Sequence, residues 1–194
     1  MSGHESKVLS PEVAFRFFYE NCCKNKMNLL IFYHAHIGKN TYFPDQIRLK
    51  QLLKSENSMH QCRFAEAVAI IEALNVNPDK VVYPELESYW GKKFNDSIQK
   101  QRYHFAEMIC AFSNFNKSED NFYCYFGKVI DILMALKGWL YDQLEQSSGI
   151  SRKSLAAYRD GKPLRFDSAL KIARGFDVPI SMFILPAELK KQQE

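Results

Sequence analysis

Two stretches of this 194-residue chain echo each other at a fixed spacing, and that echo constrains the fold more than any other feature. Arg63, Phe64, Ala67, Ile70 and Val76 line up with Arg165, Phe166, Ala169, Ile172 and Val178 at an offset of 102 residues, and the match continues to Pro84 against Pro186. In each copy apolar residues recur at helical spacing, and a polar turn ending in Val then leads into a second apolar stretch, residues 81–83 or 180–185. A repeated unit of this kind implies two small helical units within one chain. Chance similarity between two amphipathic helices is the competing explanation.

The rest of the chain reads as helix. Glycine occurs only 8 times, and the single hairpin-type pair, Asp160-Gly161, sits in a helical context, so an all-α fold is expected over a β-rich one. With 46% hydrophobic and 25% charged residues the chain can bury a core. Its uncharged apolar runs, residues 27–33 and 178–186, fall far short of the ~20 residues that span a bilayer. Residues 1–10 carry no apolar signal core, which with five cysteines at irregular spacings and no CxxC pair suits a reducing, cytoplasmic setting.

Apolar periodicity, caps and breakers predict helices over residues 11–23, 27–36, 44–55 and 63–74, with a short one near 84–90. Residues 91–100 read as a linker or helix start and 101–112 as a connecting helix, broken by the polar run 114–121. Further helices are predicted over 122–136 and 140–148, then from a Ser151 cap to Arg159, with two more after Arg165. The expected organisation is a helical unit over residues 1–100, a connector over 101–121 and a second unit over 122–194.

The segment from Leu140 to Lys162 has the parts of a helix-turn-helix. Gly149 suits a tight turn because it readily takes positive φ. Leu144, Ile150, Leu155 and Tyr158 stand where an apolar wedge must hold two helices at a fixed angle. Ser151, Arg152, Lys153 and Ser154 occupy the first turn of the second helix, the part that reaches base edges when such a helix enters a major groove. Arg grips guanine in bidentate fashion, and Ser bonds base edges or phosphate. Between Gly149 and Arg165 there are five basic residues and one acidic, a local +4 equal to the balance of the whole chain, so an anionic partner is sought there first.

The run from Leu140 through Gly161 and Lys162, with residues 165–185 after it, resembles the five-helix DNA-binding domain of the phage-repressor (Xre-type) helix-turn-helix family, the lambda repressor class included. The resemblance covers about residues 122–185 and rests on Leu144, Gly149, Ile150, Ser151, the Asp160-Gly161-Lys162 end and the Phe176-Asp177-Val178 turn. It implies a sequence-specific double-stranded DNA-binding transcription regulator, a repressor, needing two heads because one reads only one half-site, supplied by a homodimer in preference to both units of one chain. Arg152, Lys153 and Ser154 are then expected to read bases. Tyr141, Ser151, Arg159 and Lys162 hold phosphates, and Ala157 faces a thymine methyl. The family commonly has Gln where this chain has Tyr141, a polar or basic residue where it has Ala157, and Glu where it has Arg159, so the operator does not follow from the resemblance.

If the offset of 102 is a true repeat, the first unit is a diverged copy. Two registers are open: residues 49–56 as the counterpart of the reading helix, or residues 28–36 and 44–55 as the helix pair with a longer turn. Arg48, Lys50 and Lys54 make that helix basic, so a second DNA contact competes with a structural or dimerising role.

Other constellations carry less. His34 and His36 would point about 200° apart on a helix, and with His60, Cys62, Cys22 and Cys23 they form no finger-like spacing, so no metal or cofactor is expected. The aromatic clusters Phe15, Phe17, Phe18, Tyr19 and Phe122, Tyr123, Tyr125, Phe126 have helical spacing, which favours a core or a subunit interface over base stacking. No phosphate loop, nucleophile elbow or HExxH motif supports an enzyme. Two rival functions share the same motif: an antitoxin that clamps a toxin with its aromatic N-terminal unit, and an interaction adaptor that does not use the fold on nucleic acid.

Overall fold

A computed structural model of the chain describes residues 29–52, 62–73, 79, 100–111, 122–186 and 189. Its elements are α1 (Leu29–His36), α2 (Gln46–Leu52), α3 (Phe64–Ala73), α4 (residues 100–111), α5 (Phe122–Lys137), α6 (Tyr141–Ser148), α7 (Arg152–Arg159) and α8 (Phe166–Phe176), followed by a 3-10 turn, Ile180–Phe183. The fold is all-α: among the described residues there is no strand, only one isolated bridge. No helix among them is long and apolar enough to cross a membrane. The helices predicted over residues 11–23 and 84–90 and the break at 114–121 lie outside the described residues.

The differences from the sequence reading are at helix ends and have local causes. α2 begins after Asp45, not at Pro44, because the Asp45 carboxylate accepts the Arg48 N–H at 2.7 Å and caps the helix. Leu140 lies outside α6 in extended backbone, where its N–H donates to the Gln143 side-chain oxygen at 2.8 Å. The last apolar stretch forms a single 3-10 turn in place of a full α-helix. It is confined between Pro179 and Pro186, neither of which has an N–H to continue a helical ladder.

One apolar core runs through all of this. Leu49 and Leu52 of α2, Phe64, Ile70 and Ile71 of α3, Ala106 and Ile109 of α4, Phe126 and Ile130 of α5, Leu144, Leu155, Phe176 and Phe183 are all buried in it. Phe64 is its hinge. It stacks on Phe166 with ring centres 6.1 Å apart and planes 13° from parallel, and meets Phe126 edge-on at 5.4 Å. The cluster from Phe122 to Phe126 is thus partly core and partly the lining between α5 and α3. The Tyr123 hydroxyl accepts the Ala65 N–H at 3.4 Å, and burial pushes its phenol up to about 12.

The 102-residue offset seen in the sequence reappears as contact in space. Arg63 and Arg165 form the isolated antiparallel bridge. Phe64 N–H donates to the Leu164 carbonyl and Phe166 N–H to the Cys62 carbonyl, both at 2.9 Å. Shifting one bond by 102 residues turns it into the other. The buried Asp79 carboxylate accepts from the Ser181 N–H at 3.0 Å and from its hydroxyl at 2.6 Å, a third contact at the same offset. Residues paired with their own counterparts are what a twofold axis produces.

Candidate nucleic-acid interface

The α6–α7 corner is held by a closed set of short-range bonds. Gly149 takes the left-handed conformation, φ 68°, and its N–H donates to the Glu145 carbonyl at 2.8 Å, ending α6. The Ser148 hydroxyl donates to the Leu144 carbonyl at 2.6 Å and accepts the Ile150 N–H at 3.2 Å, so the chain turns without stranding a buried polar group. Ser151 then caps α7 as its sequence predicts: its side-chain oxygen accepts the Ser154 N–H. Leu144 and Leu155 are fully buried and Ile150 and Tyr158 half-buried, which forms the expected apolar wedge.

Two glycines let other helices come close to this corner. Gly175 of α8 lies where a Cβ would stand 3.1 Å from the Ser148 Cα, so α8 packs almost backbone to backbone on α6. On the other side a Cβ at Gly127 of α5 would run into the Arg159 carbonyl at the end of α7. The corner is therefore rigidly seated, with the first turn of α7 directed outward.

Ser151, Arg152 and Lys153 are exposed there and Ser154 is half-buried, its hydroxyl 3.0 Å from that of Ser151. Ala157 is half-buried one turn further along, and Lys162 is exposed just past the helix end. Tyr141, Arg152 and Arg159 come together on one side. The Arg159 guanidinium donates to the Tyr141 hydroxyl at 3.1 Å and pairs with Asp131 of α5 at 2.6 Å. The hydrogen bond to Tyr141, with Asp131 beside it, raises the Arg159 pKa. Arg152 lies 6.0 Å from the centre of the Tyr141 ring and 3.4 Å from Asp142. The Arg152–Asp142 pair is exposed on both sides, so solvent screens it and the guanidinium can exchange it for another anion.

Sequence reasoning missed the two carboxylates that hold these arginines. Asp142 is exposed on α6, and nothing in its own spacing marks Arg152 as its partner. Asp131 carries no sequence signal, since its partner stands on a different helix. The Tyr141 phenol ties α6 to α7 through Arg159.

In the N-terminal half α1 and α2 are joined by residues 37–45, a longer turn, and residues 53–56, which the other register needs, lie outside the described residues. That turn is packed, not open. Tyr42 meets Phe122 at 5.5 Å, and Asn40 donates to Glu72 at 3.0 Å. Arg48 makes a two-pronged bond to Glu66, both contacts at 3.1 Å, and that bond raises its pKa. Lys50 is exposed, whereas Lys54, His60, Cys22 and Cys23 lie outside the described residues. His34 is exposed, His36 faces the Phe43 ring at 6.0 Å and Cys62 is buried. Among the described residues no three His, Cys, Asp or Glu side chains gather as a metal site would require.

Comparison of the chain with protein-family models, with curated proteins and with solved structures finds no match.

Proposed function

We propose that the chain is a sequence-specific double-stranded DNA-binding regulator of transcription, acting as a repressor, with α7 as its reading helix in a unit of the phage-repressor type. The single observation that carries this reading is the α6–α7 corner. A left-handed Gly149 and a Ser151 cap set a short helix on a buried wedge, with Arg152 and Lys153 exposed on its first turn. A major groove asks of a helix a rigid seat, an exposed first turn and donors of the right reach, and those features of α7 support the reading. The Tyr141–Arg159 pair beside α7 and the exposed Lys162 past its end are candidates for phosphate contacts, and Arg159 would meet a phosphate already oriented by Asp131.

The test is selection of bound fragments from a randomised duplex library, followed by fluorescence anisotropy on the selected site. Arg152→Ala is expected to weaken binding by about 1 to 3 kcal/mol and to relax preference at one base position. Affinity of the wild-type chain should fall linearly on a log–log plot against salt, since neutralised phosphates release counterions. Binding that ignores salt, or an Arg152→Ala chain with unchanged affinity and preference, refutes the reading.

A further inference from the structure

We infer that the chain is a covalently closed pseudo-dimer with one working head, so that a single copy engages a single half-site of duplex DNA. This rests on the reading of α7 given above and adds how many chains and which head make the complex.

The pairing half of the argument comes from contacts between counterparts. The two bonds of the Arg63–Arg165 bridge interchange under the 102-residue offset, Phe64 stacks on its own counterpart Phe166, and Asp79 is held by its counterpart Ser181. Such self-complementary pairing is what joins two identical subunits about a twofold axis. Here both partners belong to one chain, and Phe64, Phe166, Asp79 and Ser181 are all buried within it. The surface that would pair two copies is already occupied.

The head half comes from comparing α2 with α7. Asp45 caps α2 through the Arg48 N–H as Ser151 caps α7 through the Ser154 N–H, and the next residue in each, Leu49 or Leu155, is fully buried. This registers Gln46 and Ile47 against Arg152 and Lys153. The first turn of α2 therefore presents an acidic cap and an isoleucine that is 72% exposed, in place of a hydroxyl and two cations. Arg48, the cation that turn does hold, is bonded to Glu66, which also accepts the Arg63 N–H at 2.9 Å. A carboxylate at the helix start repels phosphate where the serine would attract it. Among the described residues beside and within α2, Lys39 and Lys50 are exposed cations.

The experiment uses the full chain. Sedimentation equilibrium without DNA is expected to return the mass of one chain, and titration into the selected duplex a one-to-one complex on a site without inverted symmetry. The double variant Lys39→Gln, Lys50→Gln should keep the wild-type salt slope, whereas two lost phosphate contacts would lower it by about two. A stable dimer in solution, a two-to-one complex on an inverted repeat, or a slope reduced in the double variant overturns the inference. Absence of any duplex binding sinks the proposed function and the assignment of heads together, while the mass measured without DNA still decides the internal pairing.

Discussion

At the scale of single residues the buried carboxylate of Asp79 is the least comfortable group in the core. It is 6% exposed, and both its oxygens are bonded to Ser181. Burial raises its pKa, and the Ser181 bonds and the charge of Arg102 offset only part of that. A carboxyl whose folded-state pKa lies above its unfolded value binds its proton more tightly when folded. Its contribution to stability is therefore greatest below the ordinary aspartate range and is lost as pH rises through the raised folded value. Asp79→Asn removes that dependence. Urea unfolding across mildly acid to neutral pH should show the wild-type chain gaining on the variant as pH falls, with a slope of at most about 1.4 kcal/mol per pH unit. Parallel profiles for the two chains would mean the carboxyl titrates alike in both states. The two arginines of α7 differ from it and from each other: Arg152 is exposed and loosely held by an exposed Asp142, whereas Arg159 is fixed in orientation by Asp131 and Tyr141.

At the scale of elements, the seat of α7 depends on Gly127. A methyl group there would run into the Arg159 carbonyl, and neither α5 nor the last turn of α7 yields without moving backbone. Gly127→Ala is expected to destabilise the chain by about 1 to 3 kcal/mol in chemical denaturation, the usual effect of overpacking. An unchanged midpoint would show that α5 and α7 sit further apart. Much of this element layer was legible in the sequence, because the signals are local. Ser151 caps because a short hydroxyl reaches the third N–H, and Gly149 turns because it lacks a Cβ. Apolar residues such as Phe126, Val129, Ile130 and Leu133 mark the buried face of α5 by spacing alone. What escaped depends on meetings between helices. The Arg159–Asp131 pair, the Tyr141–Arg159 bond and the tie of Arg48 to Glu66 join residues on different elements, and no periodicity records them. For the same reason the basic face read into α2 counted Arg48 as available, and only its partner on α3 shows that it is engaged.

At the scale of the whole molecule the question is whether the two halves fold as one. The core is continuous from Leu49 to Phe183, and Phe64 and Phe166 stand at its middle, each the other's nearest parallel ring. If the halves were independent, a substitution in one would leave the energetics of the other untouched, since distant sites add. Contact across the bridge argues for coupling instead. Phe64→Leu and Phe166→Leu keep most of the buried volume and remove the stacked pair, so the chain should still fold and a double-mutant cycle isolates the ring–ring contribution. We expect a coupling of about 0.5 to 1.5 kcal/mol, the range for aromatic pairs, and one unfolding transition shared by far-ultraviolet dichroism and tryptophan fluorescence. The fluorescence arm is read on a Trp90→Phe background, where the remaining tryptophan, Trp139, reports on the C-terminal half because it stacks on Phe176 at 5.8 Å. A loss in Phe64→Leu that appears at the same midpoint in that signal would mean that damage on one side of the bridge is felt on the other. Two separated transitions with no coupling would instead describe two units merely tethered, and the rigid placement of α7 would then owe nothing to the N-terminal half.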